Sequence, residues 1–351
     1  MGNICIVWLI LITQMIMVTC NNENYVPAVI VFGDSSVDSG NNNMISTFLK
    51  SNFRPYGRDI DGGRPTGRFS NGRIPPDFIS EAFGIKSLIP AYLDPAYTID
   101  DFVTGVCFAS AGTGYDNATS AILNVIPLWK EVEFYKEYQD KLKAHIGEEK
   151  SIEIISEALY IISLGTNDFL GNYYGFTTLR FRYTISQYQD YLIGIAENFI
   201  RQLYSLGARK LAITGLIPMG CLPLERAINI FGGFHRCYEK YNIVALEFNV
   251  KLENMISKLN KELPQLKALS ANVYDLFNDI ITRPSFYGIE EVEKACCSTG
   301  TIEMSYLCNK MNLMTCKDAS KYMFWDAFHP TEKTNRIISN YLIPKLLAAF
   351  G

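Results

Sequence analysis

Short, largely apolar runs recur along the chain, separated by amphipathic stretches. Ala28 to Phe32 (AVIVF), Val103 to Ala109, Ala158 to Leu164 and Lys210 to Thr214 are such runs, and Ala271 to Leu276 is a fifth candidate. Apolar runs of this length without alternation read as strands buried on both faces, as in a parallel sheet. Between them, Tyr188, Tyr191, Leu192, Ile195, Phe199 and Leu203 share one helical face. Tyr241, Ala245, Phe248, Leu252, Met255 and Leu259 share another. A last helix is predicted to start near Thr331, directly after Pro330, and to bury Ile337, Ile338, Tyr341, Leu342 and Leu346. Pro344 predicts a kink or an early end. The alternation predicts an α/β doubly wound fold with helices on both faces of the sheet.

One apolar run differs from the rest. Ile4 to Val18 is broken only by Thr13 and Gln14, and no charged residue precedes Glu23. It is shorter than the ~20 residues a membrane-spanning helix needs. Val18 and Cys20 suit positions −3 and −1 of a cleavage site before Asn21. The segment 1–20 is therefore predicted to be a secretory signal peptide, although it lacks the usual Lys or Arg, and no stable membrane anchor is expected.

Composition narrows the class. The chain has 351 residues, 48% of them hydrophobic, and a net charge of −4. This excludes a disordered chain and gives no basic footprint for nucleic acid. Cys107 lies in an apolar run and reads as a buried free thiol. Cys221, Cys237, Cys296, Cys297, Cys308 and Cys316 lie in loop sequence behind a leader, which suggests three disulfides of open connectivity. The spacing Cys-Cys-x10-Cys-x7-Cys does not match the usual paired zinc ligands. Asn117-Ala-Thr119 is an N-glycosylation sequon.

The stretch from Phe53 to Ile85 is rich in Gly, Pro and Arg. It reads either as a long functional loop or as a loop over the sheet edge with Arg64, Arg68 and Arg73 solvated.

In doubly wound sheets the reactive crevice lies beyond the carboxyl ends of the strands. Gly33-Asp34-Ser35 follows the first run, ASAGTG (Ala109 to Gly114) the second, and SLGTNDF the third. A serine there is a nucleophile only if a base takes its proton. Of the three histidines, His145 lies in a charged helix and reads as solvated, and His235 lies in a glycine-rich loop. His329 has Asp326 three residues earlier, a spacing that can hold the imidazole in one tautomer. The glycines of the second block and the Asn167 amide are candidate oxyanion donors. The hydrolase elbow Gly-x-Ser-x-Gly is absent.

In this order, these blocks resemble the SGNH hydrolases, and more closely the plant GDSL esterase/lipase family. FGDSSVDSGNNN, RPYGRDIDGGRPTGRFSNGR, FASAGTGYDNAT, SLGTNDF, ITGLIPMGCLP, ACCSTG and FWDAFHPTE carry the resemblance, which runs from about Val29 to Leu347. It implies a flavodoxin-like, three-layer α/β/α domain (the SGNH hydrolase fold) with a parallel sheet of about five strands. That single domain is expected over residues 21–351. The resemblance further implies a secreted, extracellular carboxylic ester hydrolase acting on esters of lipid or acylated-carbohydrate type. Ser35 would be the nucleophile, His329 the base and Asp326 its partner. Ser35, Gly112 and Asn167 would form the oxyanion hole, Gly112 being preferred to Gly114 on the match. No cofactor or metal is required by this chemistry, and the expected partner is the small ester substrate. Ser36 stands where the namesake motif has Leu, and Cys107 where family members often carry Asn or Ser. Two alternatives share these residues: an acyltransferase that passes the acyl group to an alcohol, and a catalytically silent secreted binding protein. Oligomeric state stays open.

Overall fold

The computed structural model describes residues 26–176, 178–229 and 236–351. The predicted signal peptide and His235 lie outside the described residues.

Five strands form one parallel sheet: β1 (Val29–Gly33), β2 (Gly105–Cys107), β3 (Leu159–Ser163), β4 (Lys210–Ile213) and β5 (Lys267–Ser270). Their order is β2-β1-β3-β4-β5, the flavodoxin-like winding, whose crevice opens at the carboxyl ends of β1 and β3. Every residue of β1 is buried, and its side chains divide between the two faces. Ile30 and Phe32 enter the core cluster on one face, and Val29 and Val31 the cluster on the other. That two-sided burial is why the strand is apolar without alternation.

Helices cover both faces. They are α1 (Pro75–Ala82), α2 (Ile99–Phe102), α3 (Asn117–Leu123), α4 (Leu128–Ile146), α5 (Glu148–Glu157), α6 (Ile185–Ser205), α7 (Pro223–Ile228), α8 (Glu239–Glu262), α9 (Tyr274–Thr282) and α10 (Glu332–Phe350). Side chains of α4, α6 and α8 build one core cluster, and those of α1, α9 and α10 the other. Two further strands, β6 (Glu291–Ala295) and β7 (Tyr322–Phe324), pair in parallel as a separate small sheet.

Several expectations need correction. The fifth strand is Lys267–Ser270, not Ala271 to Leu276. It is an edge strand with Lys267 exposed and Leu269 and Ser270 half-buried, so it lacks the apolar run of a central strand. The Asn272 side chain accepts the Tyr274 N–H at 2.9 Å and starts α9, which takes Leu276 into a helix. Pro344 does not end α10, which continues to Phe350. Pro344 and Asn340 both face solvent, where water replaces the missing helical bond. In α10, Ile338, Leu342 and Leu346 are buried as expected, but Tyr341 is exposed. His145 is not simply solvated: its Nε2 lies 2.7 Å from Asp100.

Cys221–Cys237, Cys296–Cys316 and Cys297–Cys308 are disulfides. Cys107 is free and buried, and burial pushes its thiol up to about 12.

In the stretch from Phe53 to Ile85, Arg64 is exposed and Arg73 half-buried, but Arg68 is buried. Its guanidinium meets Asp77 at 2.8 Å through both Nε and Nη2. The same Asp77 carboxylate accepts the N–H groups of Ile74 and Ile89. Breaking such a pair leaves a charge without a partner in the interior. Arg68→Ala is expected to cost about 3–5 kcal/mol in urea unfolding, against at most about 0.5 kcal/mol for Arg64→Ala.

Candidate active site

β1 delivers Asp34 and Ser35 to the crevice through a turn that only glycine can make. Gly33 has φ +146°, and a Cβ there would stand 2.2 Å from the Ser163 carbonyl oxygen. The Gly33 N–H donates to Glu131 Oε2 at 3.0 Å, and the Asp34 N–H to the Ser163 carbonyl at 3.0 Å. The turn is thus fastened to α4 and β3. Ser36, where the resemblance expected Leu, hydrogen-bonds Asp34 Oδ1 at 2.7 Å and Ser163 Oγ at 2.8 Å. Burial raises the Asp34 carboxyl above its usual range, against the hydrogen bonds from Ser36 and the nearby His329.

Asp326 and His329 arrive from the small sheet. The Cys296 N–H donates to the Phe324 carbonyl and the Cys297 N–H to the Trp325 carbonyl, at 2.9 and 2.8 Å. Both cysteines are disulfide-bonded, so the segment that pairs with the strand leading to Asp326 is itself cross-linked. Asp326 is fully buried. Its Oδ1 accepts the N–H groups of Phe328 and His329, and its Oδ2 accepts the Tyr56 hydroxyl at 2.6 Å. Both oxygens lie within 2.9 Å of His329 Nδ1. An accepting carboxylate makes Nδ1 the donor, leaving the lone pair on Nε2. Among the described residues, Nε2 has no hydrogen-bond partner. Phe69 covers the imidazole, with ring centroids 4.8 Å apart.

The third wall follows β2 and β3. Gly112 has φ +91°, and a Cβ there would press within 2.5 Å of Leu49 Cδ1. Gly114 instead packs on the Asp168 carboxyl, which a Cβ would meet at 2.3 Å. Asp168 accepts from the N–H groups of Tyr115 and Asp116 and from the Thr119 hydroxyl. Burial nevertheless pushes it up to about 7. Asn167, its neighbour, donates Nδ2–H to the Thr113 carbonyl at 3.0 Å. Among the described residues, the N–H groups of Ser35 and Gly112 donate no hydrogen bond.

Two cavities meet at Ser35 and His329. The smaller, about 120 Å³, runs between the sheet and the layer of α1, α9 and α10, with Ile161, Phe277, Leu342 and Leu346 in its wall. A dry apolar cavity of ~150 Å³ holds benzene, so this one suits a short hydrocarbon. The larger, about 340 Å³, is bordered by Gly112, Asn167, Glu225 and Tyr241. Ser35, Gly112, Asn167 and His329 therefore share one cavity, with Asp326 behind the imidazole. Ser35 Oγ and His329 Nε2 make no hydrogen bond with each other; contacts of this kind tighten when a substrate binds.

Comparison with known proteins now decides the family. Residues 29–342 match the family model GDSL-like Lipase/Acylhydrolase. The chain belongs to the GDSL-like lipase/acylhydrolase family. It is 58% identical to GDSL esterase/lipase At4g26790 of Arabidopsis thaliana over 348 residues, 99% of each chain. It is 57% identical to GDSL esterase/lipase At2g42990 over 93% of each chain, and 55% identical to GDSL esterase/lipase At2g04570 over 98%, both from the same plant. The GDSL fold and the enzyme class, carboxylic ester hydrolase, thus follow for this chain.

Around this GDSL site are residues that sequence reasoning did not single out. Tyr56, on the long loop, bridges Asp326 Oδ2 and the Ser305 N–H, the latter at 2.8 Å. Its 270-residue separation from Asp326 hides it, although it lies inside the matched RPYGRD block. Glu131 is fully buried, and burial holds its carboxyl well above the ordinary 4.5.

Tyr56→Phe removes one donor to Asp326 while keeping the ring. It is expected to lower kcat for a soluble ester about 10–100-fold with little change in KM; an unchanged kcat would show that Tyr56 only packs. Glu131 binds its proton in the fold at pH values where the unfolded chain has lost it. Its contribution therefore makes stability fall as pH rises above 4.5. Glu131→Gln, neutral at every pH, is expected to gain on the wild type in urea melts between pH 5 and pH 8.

Proposed function

We propose that this chain hydrolyses carboxylic esters of lipid or acylated-carbohydrate type through Ser35, His329 and Asp326. The observation that carries the reading is the Asp326–His329 pair, whose Nε2 has no partner among the described residues, in a residue that borders the same cavity as Ser35, Gly112 and Asn167.

His329 Nε2 takes the Ser35 hydroxyl proton as Oγ attacks the ester carbonyl carbon. The carbonyl π pair moves to oxygen, and the N–H groups of Ser35 and Gly112 with the Asn167 amide receive that oxyanion. When the intermediate collapses, the bond to the alcohol oxygen breaks and His329 returns the proton to the leaving alcohol. Water, deprotonated by His329, then attacks the acyl carbon; the bond to Ser35 Oγ breaks, the acid leaves, and His329 returns the proton to Oγ. Asp326 fixes the tautomer and balances the imidazolium charge. The apolar cavity suits the hydrocarbon of the acyl group.

Secretion is part of the reading. The apolar 1–20 segment and the three disulfides suit an oxidising compartment. Asn117, exposed at the start of α3, suits a glycan.

A fluorophosphonate probe is expected to label the wild type and not Ser35→Ala, and ester turnover by Ser35→Ala should fall by ~10⁴ or more. Asn167→Ala should lose ~10²–10³ in kcat. Equal labelling of wild type and Ser35→Ala would falsify the assignment.

A further inference from the structure

Glu225 is a carboxyl group that makes no hydrogen bond or ion pair among the described residues. It sits on α7, whose Leu224 N–H donates to the Ala327 carbonyl at 3.1 Å. The helix is thereby tied to the loop that carries His329. The side chain is 5% exposed and borders the larger cavity. Among the described residues it makes no hydrogen bond or ion pair, and burial alone pushes it up to about 7. Its surroundings are Leu224, Ile228 and the Tyr174–Tyr241 pair, stacked with centroids 4.3 Å apart. Burial raises Tyr241 to about 12, with the Glu225 charge adding to the effect.

Three other buried acids contrast with it. Asp38, Asp168 and Asp326 each accept several hydrogen bonds from the protein. The Glu225 carboxyl oxygens keep some accessible surface in a residue that borders the cavity, so a polar group that enters the cavity can bond them. We propose that Glu225 is a specificity-determining residue that accepts a hydrogen bond from a free hydroxyl on the alcohol part of the ester, selecting polyol esters over simple alkyl esters.

The inference rests on the ester-hydrolase reading, with Ser35 at the junction of the two cavities. The apolar cavity takes the hydrocarbon acyl chain, so the alcohol lies in the larger one, where Glu225 waits. A site built to hydrogen-bond a hydroxyl discriminates strongly against the analogue that lacks it.

Two substrates isolate the contact. 1-Monobutyrin and propyl butyrate share the acyl group and a three-carbon alcohol, and differ only in two free hydroxyls. The ratio of their kcat/KM values is measured for the wild type, Glu225→Leu and Glu225→Gln, each checked by fluorophosphonate labelling. Glu225→Leu is expected to lower the ratio about 10-fold or more, and the isosteric Glu225→Gln by a smaller factor. An unchanged ratio in labelled variants overturns the proposal, and Glu225→Gln carries this test if Glu225→Leu does not fold. Propyl 3-hydroxybutyrate places the hydroxyl on the acyl side. If the variants lose activity on that ester instead, the alcohol assignment is wrong. A wild type that neither labels nor hydrolyses any of the three esters overturns the ester-hydrolase reading itself, a result separate from an unchanged ratio.

Discussion

A fully buried carboxyl group has to replace its hydration shell with hydrogen-bond donors. Asp326 does so with near and distant parts of the chain: the backbone of Phe328 and His329 and the His329 ring close by, and the hydroxyl of Tyr56 from 270 residues away. Each requirement organises a segment. Tyr56 brings the long loop after β1 over the crevice. Its hydroxyl is oriented by the Ser305 N–H, within the loop that the Cys297–Cys308 disulfide closes. The loop packs there as a third core cluster, in which Tyr56 and Phe69 lie with Trp325 and three half-cystines. The disulfides of a chain this long are not needed for a core. Two of them, Cys296–Cys316 and Cys297–Cys308, cross-link the segment whose N–H groups pair with Phe324 and Trp325, the residues just before Asp326.

The other buried acids share the burial but not the partners. Asp38, pushed up to about 6, receives backbone N–H groups from Gly40, Asn41 and Ala111 and so ties the loop after β1 to the turn after β2. Asp168 does the same between the segments after β2 and β3, and Glu131 between α4 and the end of β1. These acids hold backbone, and burial moves all three toward the neutral form. Asp326 faces an imidazole, where a carboxylate can balance a transient positive charge. What sets Asp326 apart from these three is its direct hydrogen bond to the His329 ring.

This division explains what was legible in the sequence. The central strands are buried on both faces, so β1, β3 and β4 stand out as apolar runs. The blocks bearing Ser35, Gly112 and Asn167 follow β1, β2 and β3 directly. Asp326 and His329 are three residues apart, so local spacing sufficed. β5 is not legible because, unlike β2 at the other edge, it is largely half-buried or exposed, and the apolar signal passes to the helix beside it. Arg68 looked like a surface cation because its partner Asp77 is visible only as a buried bidentate pair. Glu225 reads as an ordinary helical charge in PLERAI. Only the cavity reveals it, since neither burial nor the lack of a partner has a local sequence signature.

The site also couples chemistry to the core through one helix. α10 starts immediately after the loop bearing His329, capped by the Thr331 side chain on the Thr334 N–H. Thr331 Oγ1 also donates to the Tyr322 carbonyl at 2.8 Å, joining the helix start to β7. Further along, Ile338, Leu342 and Leu346 border the apolar cavity. One rigid element therefore sets the imidazole at its start and shapes the cavity wall two to four turns later. A close-packed interior resists changes in volume. Material that fills the cavity bears on α10 and, through its cap, on the loop that carries His329. The sheet side of the junction is fixed independently, because Gly33 and Asp34 are bonded to Glu131 and β3. Ser35 thus follows a turn bonded to α4 and β3, whereas His329 stands between β7 and the start of α10, so the two side chains that border both cavities are anchored by separate elements.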